Sequence, residues 1–520
     1  MRSIRIRILA TCVIVLAAGV GGWQLLPSRG EEPRVITVGT TDDVSGLDPA
    51  GSYDAGSWSL YSNLYQSLLT FEPRSAVPVP DAASGCRFLG EKLRTYQCEL
   101  RSGLTFSNGH ALTAQDVKYS FDRMRTVDVG DASSPKPLFE SLASVKVTGN
   151  RITFSLRTGD ATFPFKMATG AGAIVDRSEY SANQLRTGDT VVASGPYVLK
   201  KYKAGVRARL EPNPSYQGAV KKTRTPIEIR YYKEAEQLNA AWKAKRIDVT
   251  HRKMPPEVLA ELGPGDRDVR ISESEGSEIR NLVFNLRESS PMSSRSVRQA
   301  AAWLIDRNKI ASEVYHGTVE PLYSLIPQGV TGHSTPYFDA YPNPDRARAG
   351  QLLRNAGVET PVGITLGYSL GGATRPEAAE LREQLQAGGL FKVRLAEKAE
   401  WQDFQEGYAA GAFDAFAIGW LPDFPDPDSF SQPLVGRGSS LSNGYESERI
   451  EELILATQEF SDRGRTARDF KELQETVAQD VPLVPLWQTK DFVLTDQDVR
   501  GGQSLSDGTG VWRLWELGWL

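Results

Sequence analysis

The sequence predicts an α/β protein with two lobes, and three observations support this fold class. A chain of 520 residues is too long to fold around a single hydrophobic core. From about Ile279 onwards, segments with strand-like and helix-like apolar periodicity alternate, which is typical of α/β folds. The part of the chain before Ile279 is richer in strand. We therefore expect two α/β lobes and a C-terminal tail, residues 481–520, that is rich in Trp and Leu.

The first half of the chain contains most of the predicted strands. Apolar residues favour strands at 35–39, 145–147, 152–156, 197–199, 207–210 and 227–232. Gly149-Asn150 stands between two of these strands and is a hairpin signal. A helix is predicted over 57–69, because leucines recur there every fourth residue on one face. A second helix follows Thr113, which is its predicted N-cap, and Asp116 resembles the last residue of a capping box.

The second half alternates strands with helices. The predicted strands are 279–286, 364–368, 392–395 and 413–418. The predicted helices are 296–315, 375–387, 447–460 and 466–479. One further helix has Pro344 at its start and Gly357 just past its end, the usual asymmetry of helix termini.

Residues 1–27 have the composition of a targeting segment. Three arginines precede an apolar run that is long for a signal-peptide core and just long enough to span a bilayer. Ala17-Ala18-Gly19 offers a cleavage site, so a cleaved signal peptide and a retained membrane anchor both stay open. Lipidation at Cys12 is the lesser alternative, since the apolar run continues past it. In each case the remaining chain lies outside the cytoplasm, after a linker at 28–34.

Charge and cysteine content narrow the function classes. The net charge is −4, and three positive charges lie in the first 27 residues, so the body of the protein is acidic and a nucleic-acid partner is not expected. Cys86 and Cys98 flank a predicted turn, and in an oxidising compartment we expect a disulfide between them rather than two buried thiols. Closing this loop of 13 residues contributes about 3 kcal/mol on the loop-entropy model.

The segment 413–430 carries the strongest chemical signal. An apolar strand runs directly into a loop in which carboxylates and prolines alternate: Pro422, Asp423, Pro425, Asp426, Pro427 and Asp428. Proline fixes φ and removes an N–H donor, so we expect a stiff loop that does not become helical. Partly buried carboxylates need a cationic partner, and a ligand amine is one candidate. Weighed against the whole chain, only Asp423 has a positional argument for ligand contact, and the other two carboxylates are expected to set the loop.

An enzyme is not expected, and neither a catalytic residue, a metal site nor a cofactor is assigned. The four histidines are widely spaced, and metal-protease, nucleophile-elbow, Walker and dinucleotide motifs are missing from the sequence. The three aspartates do not match a calcium loop, and nothing distinguishes an acid from a nucleophile for glycosidase chemistry. Four tryptophans near predicted strand ends or crossovers favour ligand binding instead, with core packing as the alternative for each except Trp420: Trp401, Trp420, Trp487 and Trp512.

Four blocks of sequence resemble the large solute-binding proteins of bacterial ABC importers, the family 5 or cluster C type that binds oligopeptides and dipeptides. The first is Leu-Arg-Ser-Gly-Leu-Thr-Phe-Ser-Asn-Gly at 100–109 with Leu-Thr-Ala-Gln-Asp-Val at 112–117. The others are Ser-Gly-Pro-Tyr-Val-Leu at 194–199 with Asn-Pro-Ser-Tyr at 213–216, then 284–307, and 413–428. Together they extend the resemblance from residue 35 to the C-terminus.

The resemblance implies a two-lobed, type II periplasmic-binding-protein-like fold with an extra subdomain in the first lobe. Lobe I is then expected to comprise 35–277 plus 490–520, and lobe II 278–489. Two crossover segments join the lobes, which close about a hinge on the ligand. The implied partners are a peptide or other small ligand and the permease subunits of an ABC transporter, with the N-terminal segment at the membrane. We expect a monomer at the outer face of the cytoplasmic membrane or in the periplasm.

The resemblance also implies particular ligand contacts. In peptide-binding relatives an aspartate just after the Gly-Trp strand end pairs with the peptide amine, and Asp423 has that position. Ligand backbone adds to strand edges, here expected near 419–421 and 50–53. The candidate contacts are Asp423, Trp420, Gly419, Leu421, Trp401, Gly51, Ser52, Tyr53 and Asn285.

The ligand itself stays open at this stage. Defined-length peptide binders present a cation to the ligand carboxylate, and Arg280, Arg287 and Arg375 are candidates only by count. The same receptor class for a non-peptide solute is the alternative: an oligosaccharide stacking on Trp401 and Trp420, an opine, or a metal chelate. A membrane-tethered enzyme or sensor ectodomain is the third class.

Overall fold

The computed structural model describes residues 33–73, 75–129, 134–221, 224–251, 254–263, 268–506, 509 and 511–520. Residues 36–520 form one compact unit, to which everything below refers. The predicted targeting segment, residues 1–27, lies outside the described residues, as does most of the predicted linker. In the described part, no helix combines the length and the apolar character needed to cross a membrane.

Strands and helices are interleaved along the described chain. The strands are β1 (Ile36–Thr40), β2 (Leu69–Phe71), β3 (Pro78–Pro80), β4 (Ala83–Phe88), β5 (Thr95–Leu100), β6 (Leu142–Thr148), β7 (Arg151–Leu156), β8 (Tyr197–Lys203), β9 (Arg207–Pro212), β10 (Ile227–Tyr231), β11 (Val249–His251), β12 (Val269–Phe284), β13 (Val319–Pro321), β14 (Val362–Ser369), β15 (Phe391–Lys398), β16 (Ala415–Trp420), β17 (Leu483–Asp496), β18 (Val499–Arg500) and β19 (Gly518–Trp519). The helices are α1 (Ala55–Leu64), α2 (Ala114–Thr126), α3 (Phe163–Met167), α4 (Ala235–Lys243), α5 (Pro256–Glu261), α6 (Arg295–Ala302), α7 (Arg307–Lys309), α8 (Pro336–Ala340), α9 (Arg346–Asn355), α10 (Thr374–Gln386), α11 (Trp401–Ala409), α12 (Asp428–Val435), α13 (Glu448–Thr457) and α14 (Ala467–Asp480).

One large mixed sheet organises the fold. Its strand order is β15-β14-β16-β12-β17-β11-β1-β10-β9-β8, and β13 pairs beside β17. The long strands β12 and β17 pair antiparallel over almost their whole length, with register shifts between Glu275 and Ile279 and between Arg280 and Asn281. Because such shifts locally disrupt the ladder, the first of them is a natural place for the sheet to bend.

Two large hydrophobic cores lie on either side of this irregular point. The first core is built from residues between 36 and 249 together with 493–517, and the second core from residues between 279 and 487. Strand β17 contributes to both of these cores, whereas β12 runs from a third, smaller cluster into the second core. The predicted lobe boundaries at 277/278 and 489/490 fall inside β12 and β17. The α/β, two-lobed fold class is therefore confirmed.

An additional sheet enlarges the first core. Its order is β4-β5-β7-β6, α2 packs on β6 and β7, and the predicted hairpin around Gly149 connects those two strands. Cys86 and Cys98 lie directly opposite each other on β4 and β5 and form the predicted disulfide. The predicted capping box is also present, since the Thr113 N–H donates to Asp116 Oδ2 at 2.8 Å.

Three local predictions are wrong, each for an identifiable reason. The helix predicted over 57–69 ends at Leu64, since the backbone of Tyr65 is extended, and its last predicted residue, Leu69, begins β2. The helix predicted over 296–315 is broken after Ala302, because Asp306 caps a new start by accepting from the Lys309 N–H. The proline-rich loop becomes helical at Asp428, since the first turn of a helix tolerates a preceding proline.

Candidate functional site

Asp423 lies where the two cores meet. It follows β16 of the second core by three residues, and its carboxylate Oδ2 accepts a hydrogen bond from the Tyr53 hydroxyl at 2.8 Å. Tyr53 belongs to the loop before α1 of the first core and is 370 residues away in sequence. The structure thus brings two predicted ligand contacts together across the gap between the cores.

The electrostatic environment of Asp423 is unusual for an aspartate. Burial raises the pKa of Asp423 to about 7, while the Tyr53 hydrogen bond and the positive charge of Lys166 act in the opposite direction. Burial also raises the pKa of Tyr53 well above its usual value, so its phenol stays a donor. Among the described residues, no arginine or lysine forms an ion pair with Asp423. In the part of the chain that the structure describes, Asp423 is therefore a carboxylate without an ion-pair partner.

The remainder of the Asp423 loop, residues 421–430, is fixed by its own contacts. Asp426 forms a bidentate ion pair with Arg463, at 2.7 Å to Nε and 2.9 Å to Nη2, and both side chains are buried. Asp428 accepts from Gln458 Nε2 at 2.8 Å. The Trp420 indole N–H donates to the Ser429 carbonyl at 2.7 Å, which folds the loop back on itself. These contacts hold Asp423 on a rigid frame.

Trp420 and Gly419 offer backbone for a ligand. In β16 they pair with Ile279 and Arg280 of β12, whereas β14 pairs with β16 only at Ala415 and Phe416. Among the described strands, one side of the Gly419–Trp420 backbone is thus unpaired. A Cβ at Gly419 would lie 3.2 Å from Glu278 Oε1, so a larger residue at this position would crowd the Glu278 side chain beside the unpaired backbone. Leu421 continues from it and is half-buried.

The segment on the first core has a supporting structure. Ser52 is buried, and its carbonyl accepts from the Trp58 indole at 3.2 Å. A Cβ at Gly51 would lie 2.5 Å from the Leu185 side chain, so this position is closely packed. The Tyr53 ring meets Trp58 edge-on, with centroids 5.3 Å apart. Of this segment, the Tyr53 side chain is the part that reaches Asp423.

Two candidates are placed elsewhere. Asn285 stands at the opposite end of the β12–β16 pair, about 20 Å along the strand from Ile279, and its amide donates to the carbonyls of Gly411 and Phe413. Trp401 begins α11, is 53% exposed and contacts Phe404. Neither has a described contact with the Asp423 loop. As ligand contacts, both stay predictions.

The three arginine candidates differ in how their donors are used. Arg375 is exposed and pairs with Glu397, and Arg287 donates to the carbonyls of Ala409 and Ser442. Arg280 is buried opposite Gly419, and its Nε donates to Glu377 at 2.8 Å. Its Nη2 has no hydrogen-bond partner among the described residues.

Sequence reasoning did not single out Lys166, Gln458 or Arg463. Gln458 and Arg463 donate hydrogen bonds to Asp428 and Asp426, and the positive charge of Lys166 acts to lower the pKa of Asp423. Their local sequence carries no motif, so only the three-dimensional contacts identify them.

Among the described residues, one group has the composition of a metal site: His110, Asp176 and Glu179. Asp176 already accepts from Asn108 and Ser178 as well as from His110. These hydrogen bonds explain why the three side chains lie together without a metal ion. None of the three residues belongs to the Asp423 site.

Comparison with known proteins agrees with this architecture. Residues 77–441 match the family described as "Bacterial extracellular solute-binding proteins, family 5 Middle". The chain is 22% identical over 485 residues to the probable D,D-dipeptide-binding periplasmic protein DdpA of Escherichia coli, covering 90% of this chain and 91% of that protein. It is 26% identical over 508 residues to heme-binding protein A of Haemophilus influenzae, covering 91% and 87%.

A solved structure gives the same result for the fold. The dipeptide-binding protein of Pseudoalteromonas sp. SM9913 in complex with Met-Leu superimposes with a TM-score of 0.80 at 20% identity, covering 94% of this chain and all of that one. The family match spans well over half of the sequence. The chain therefore belongs to the bacterial extracellular solute-binding proteins of family 5.

Proposed function

We propose that this protein is an extracytoplasmic peptide receptor of an ABC importer. It binds a short peptide between its two cores and delivers it to the permease. The N-terminal segment exports the chain and either is cleaved or remains as an anchor, and the receptor acts as a monomer without enzymatic activity.

The observation that carries this proposal is the Asp423 carboxylate. It is held on a rigid loop between the cores, burial raises its pKa to about 7, and the described residues supply no ion-pairing cation. A peptide α-ammonium provides the missing charge and returns the pKa of Asp423 towards its usual range. The unpaired backbone beside Gly419–Trp420 supplies hydrogen bonds that do not depend on the ligand's side chains.

Asp423→Asn tests the amine contact. Breaking a buried amine–carboxylate pair on one side costs about 3–5 kcal/mol, so calorimetry should show a loss of peptide affinity of at least a hundredfold for a tri- to pentapeptide. The matched ligand is the same peptide N-acetylated. It should bind weakly to the wild type and lose no more in Asp423→Asn. Unchanged affinity for the free peptide would remove Asp423 as its anchor.

Arg280 is our proposed partner for the ligand carboxylate. It faces Gly419 across the strand pair, and its Nη2 has no hydrogen-bond partner among the described residues. Since Glu377 already takes Nε, a carboxylate at Nη2 makes a charge-assisted hydrogen bond without displacing that pair. Amidating the peptide C-terminus should weaken binding roughly tenfold, whereas equal affinity for acid and amide would exclude this contact.

The relationship to a heme-binding protein at 26% identity favours one second candidate, a receptor for a non-peptide solute. Mass spectrometry of the ligand that co-purifies with native protein separates the two. A peptide supports the first proposal, and a non-peptide solute supports the second.

A further inference from the structure

The two cores also touch at a place away from the strands that join them. Helix α3 of the first core packs against the Asp423 loop of the second, with the rings of Phe165 and Phe424 6.1 Å apart. Close by, the Ala161 N–H donates to the Gln458 carbonyl at 3.2 Å. These contacts join the two cores outside the large sheet, so they depend on how closely the two cores approach each other.

Lys166 is the cation at this contact. Its Nζ donates to Asp160 Oδ2 at 3.0 Å, and its side chain is only 15% exposed. Asp160 has further donors in Ser141 and Thr162. Lys166 is therefore held in place by the first core, immediately beside the ring that meets the Asp423 loop.

Carboxylates of the second core attract this ammonium electrostatically. Burial lowers the pKa of Lys166, but attraction by Asp160 and then by Asp428 and Asp426 raises it overall. Asp426 is already compensated by Arg463. In return, Lys166 opposes the effect of burial on Asp423 and on Asp428, whose pKa values are raised to about 7 and about 6. The other group facing Asp423 is the Tyr53 phenol.

We propose that Lys166 is a positioning residue for ligand binding, the counter-charge that the first core brings to the carboxylates of the second core when the cores close. The inference rests on the proposed function, since it assumes that ligand binds between the cores. Lys166 opposes the effect of burial on the pKa of Asp423, so that a larger fraction of the carboxylate is ionised at neutral pH and able to accept an ammonium, and it does so without touching the ligand. If instead it served only Asp160, its removal would weaken the first core and leave the titration of Asp423 unchanged.

Tripeptide affinity measured by calorimetry from pH 5 to pH 10 tests this role. Lys166→Met should move the midpoint of the affinity profile upward by about one pH unit, weaken binding about fivefold at pH 7 and match the affinity of the wild type above pH 9. Lys166→Arg should keep the wild-type midpoint, and so should Lys146→Met, a control at an exposed lysine of the first core. An unchanged midpoint in Lys166→Met overturns the proposal.

A second variant and a second readout keep the test independent of folding and of the ligand. Lys166→Met/Asp160→Asn removes the ion pair together, so no buried charge is left unpaired in the first core. In ligand-free protein with ¹³C-labelled aspartate carboxyls, the resonance missing from Asp423→Asn identifies Asp423. Its titration midpoint should rise in Lys166→Met and in Lys166→Met/Asp160→Asn, and an unchanged midpoint in these two variants contradicts the proposal. If the wild type binds no peptide but this midpoint moves, the proposed function fails, while the electrostatic effect of Lys166 on Asp423 stands.

Discussion

Asp423 and Asp426 lie three residues apart in one loop, yet their surroundings differ in kind. Asp426 is buried against Arg463 in a bidentate pair contained within the second core. Asp423 accepts a hydrogen bond from a neutral phenol of the first core, Tyr53, and among the described residues it has no ion-pair partner. The charge of Asp426 is thus balanced by Arg463 within the protein, whereas we expect a cation of the ligand to balance the charge of Asp423.

This difference distinguishes Asp426, which stabilises the loop, from Asp423, which we propose contacts the ligand. A compensated ion pair stabilises the loop whether or not ligand is present. A carboxylate whose pKa is raised by burial costs the free protein stability at neutral pH, and a bound ammonium recovers that cost as affinity. The two positions should therefore respond oppositely to the same Asp→Asn change.

The largest expected effect is at Asp426. Asp426→Asn leaves Arg463 buried without its counter-charge, so we expect a loss of about 3–5 kcal/mol in the free energy of unfolding, measured by denaturant titration. Asp122→Asn is the matched control, because Asp122 forms an exposed pair with Lys118 and should change stability by less than about 1 kcal/mol. Equal, small effects at both positions would show that the loop is not held by Arg463.

Asp423→Asn should instead stabilise the ligand-free protein. The pKa of Asp423 is raised in the folded state, so the folded state holds its proton more tightly and loses stability as pH rises from about 4 to about 7. The asparagine avoids this loss. The variant's gain should be near zero at pH 4 and reach roughly 1–4 kcal/mol at pH 8, in thermal or denaturant unfolding. A variant less stable than wild type at pH 8 would mean that Asp423 is structural.

The smallest expected effect is at Tyr53. Tyr53→Phe removes one hydrogen bond to Asp423, worth about 1 kcal/mol, and lets the pKa of Asp423 rise further. Peptide affinity at pH 7 should fall severalfold in calorimetry. Tyr119→Phe, which removes a hydroxyl that donates to the Tyr180 carbonyl within the first core, should leave affinity unchanged. Equal losses in both variants would attribute the effect to packing.

Much of the fold could be predicted from sequence because its signals are local. The α/β alternation, the Thr113–Asp116 cap and the Cys86–Cys98 pairing each depend on residues close together in the chain. The signal for the helix break at Asp306 is local too. An aspartate inside an apolar repeat is compatible with a continuous helix or with the start of a new helix, and only packing decides between these two structures.

The candidate site could be predicted only in part. Asp423 was found through its place after the Gly-Trp strand end, and Tyr53 through an expected strand edge. Their contact spans 370 residues, and the Asp426–Arg463 pair spans 37, so neither follows from any spacing rule. Asn285, chosen from the same family resemblance, stands at the far end of its strand. The resemblance identified the loop, but the contacts that Asp423 and Asp426 make with distant side chains follow only from the structure.

The most direct test of the central claim, that Asp423 anchors a ligand ammonium, is the number of protons released when peptide binds. Calorimetry in buffers of different ionisation enthalpy measures it. With a pKa of about 7 in the free protein and a much lower one when paired, the wild type should release about half a proton at pH 7. Its affinity should fall about tenfold per pH unit below pH 7, and Asp423→Asn should show neither effect. Affinity that is independent of pH, or proton release that survives in Asp423→Asn, would contradict the account.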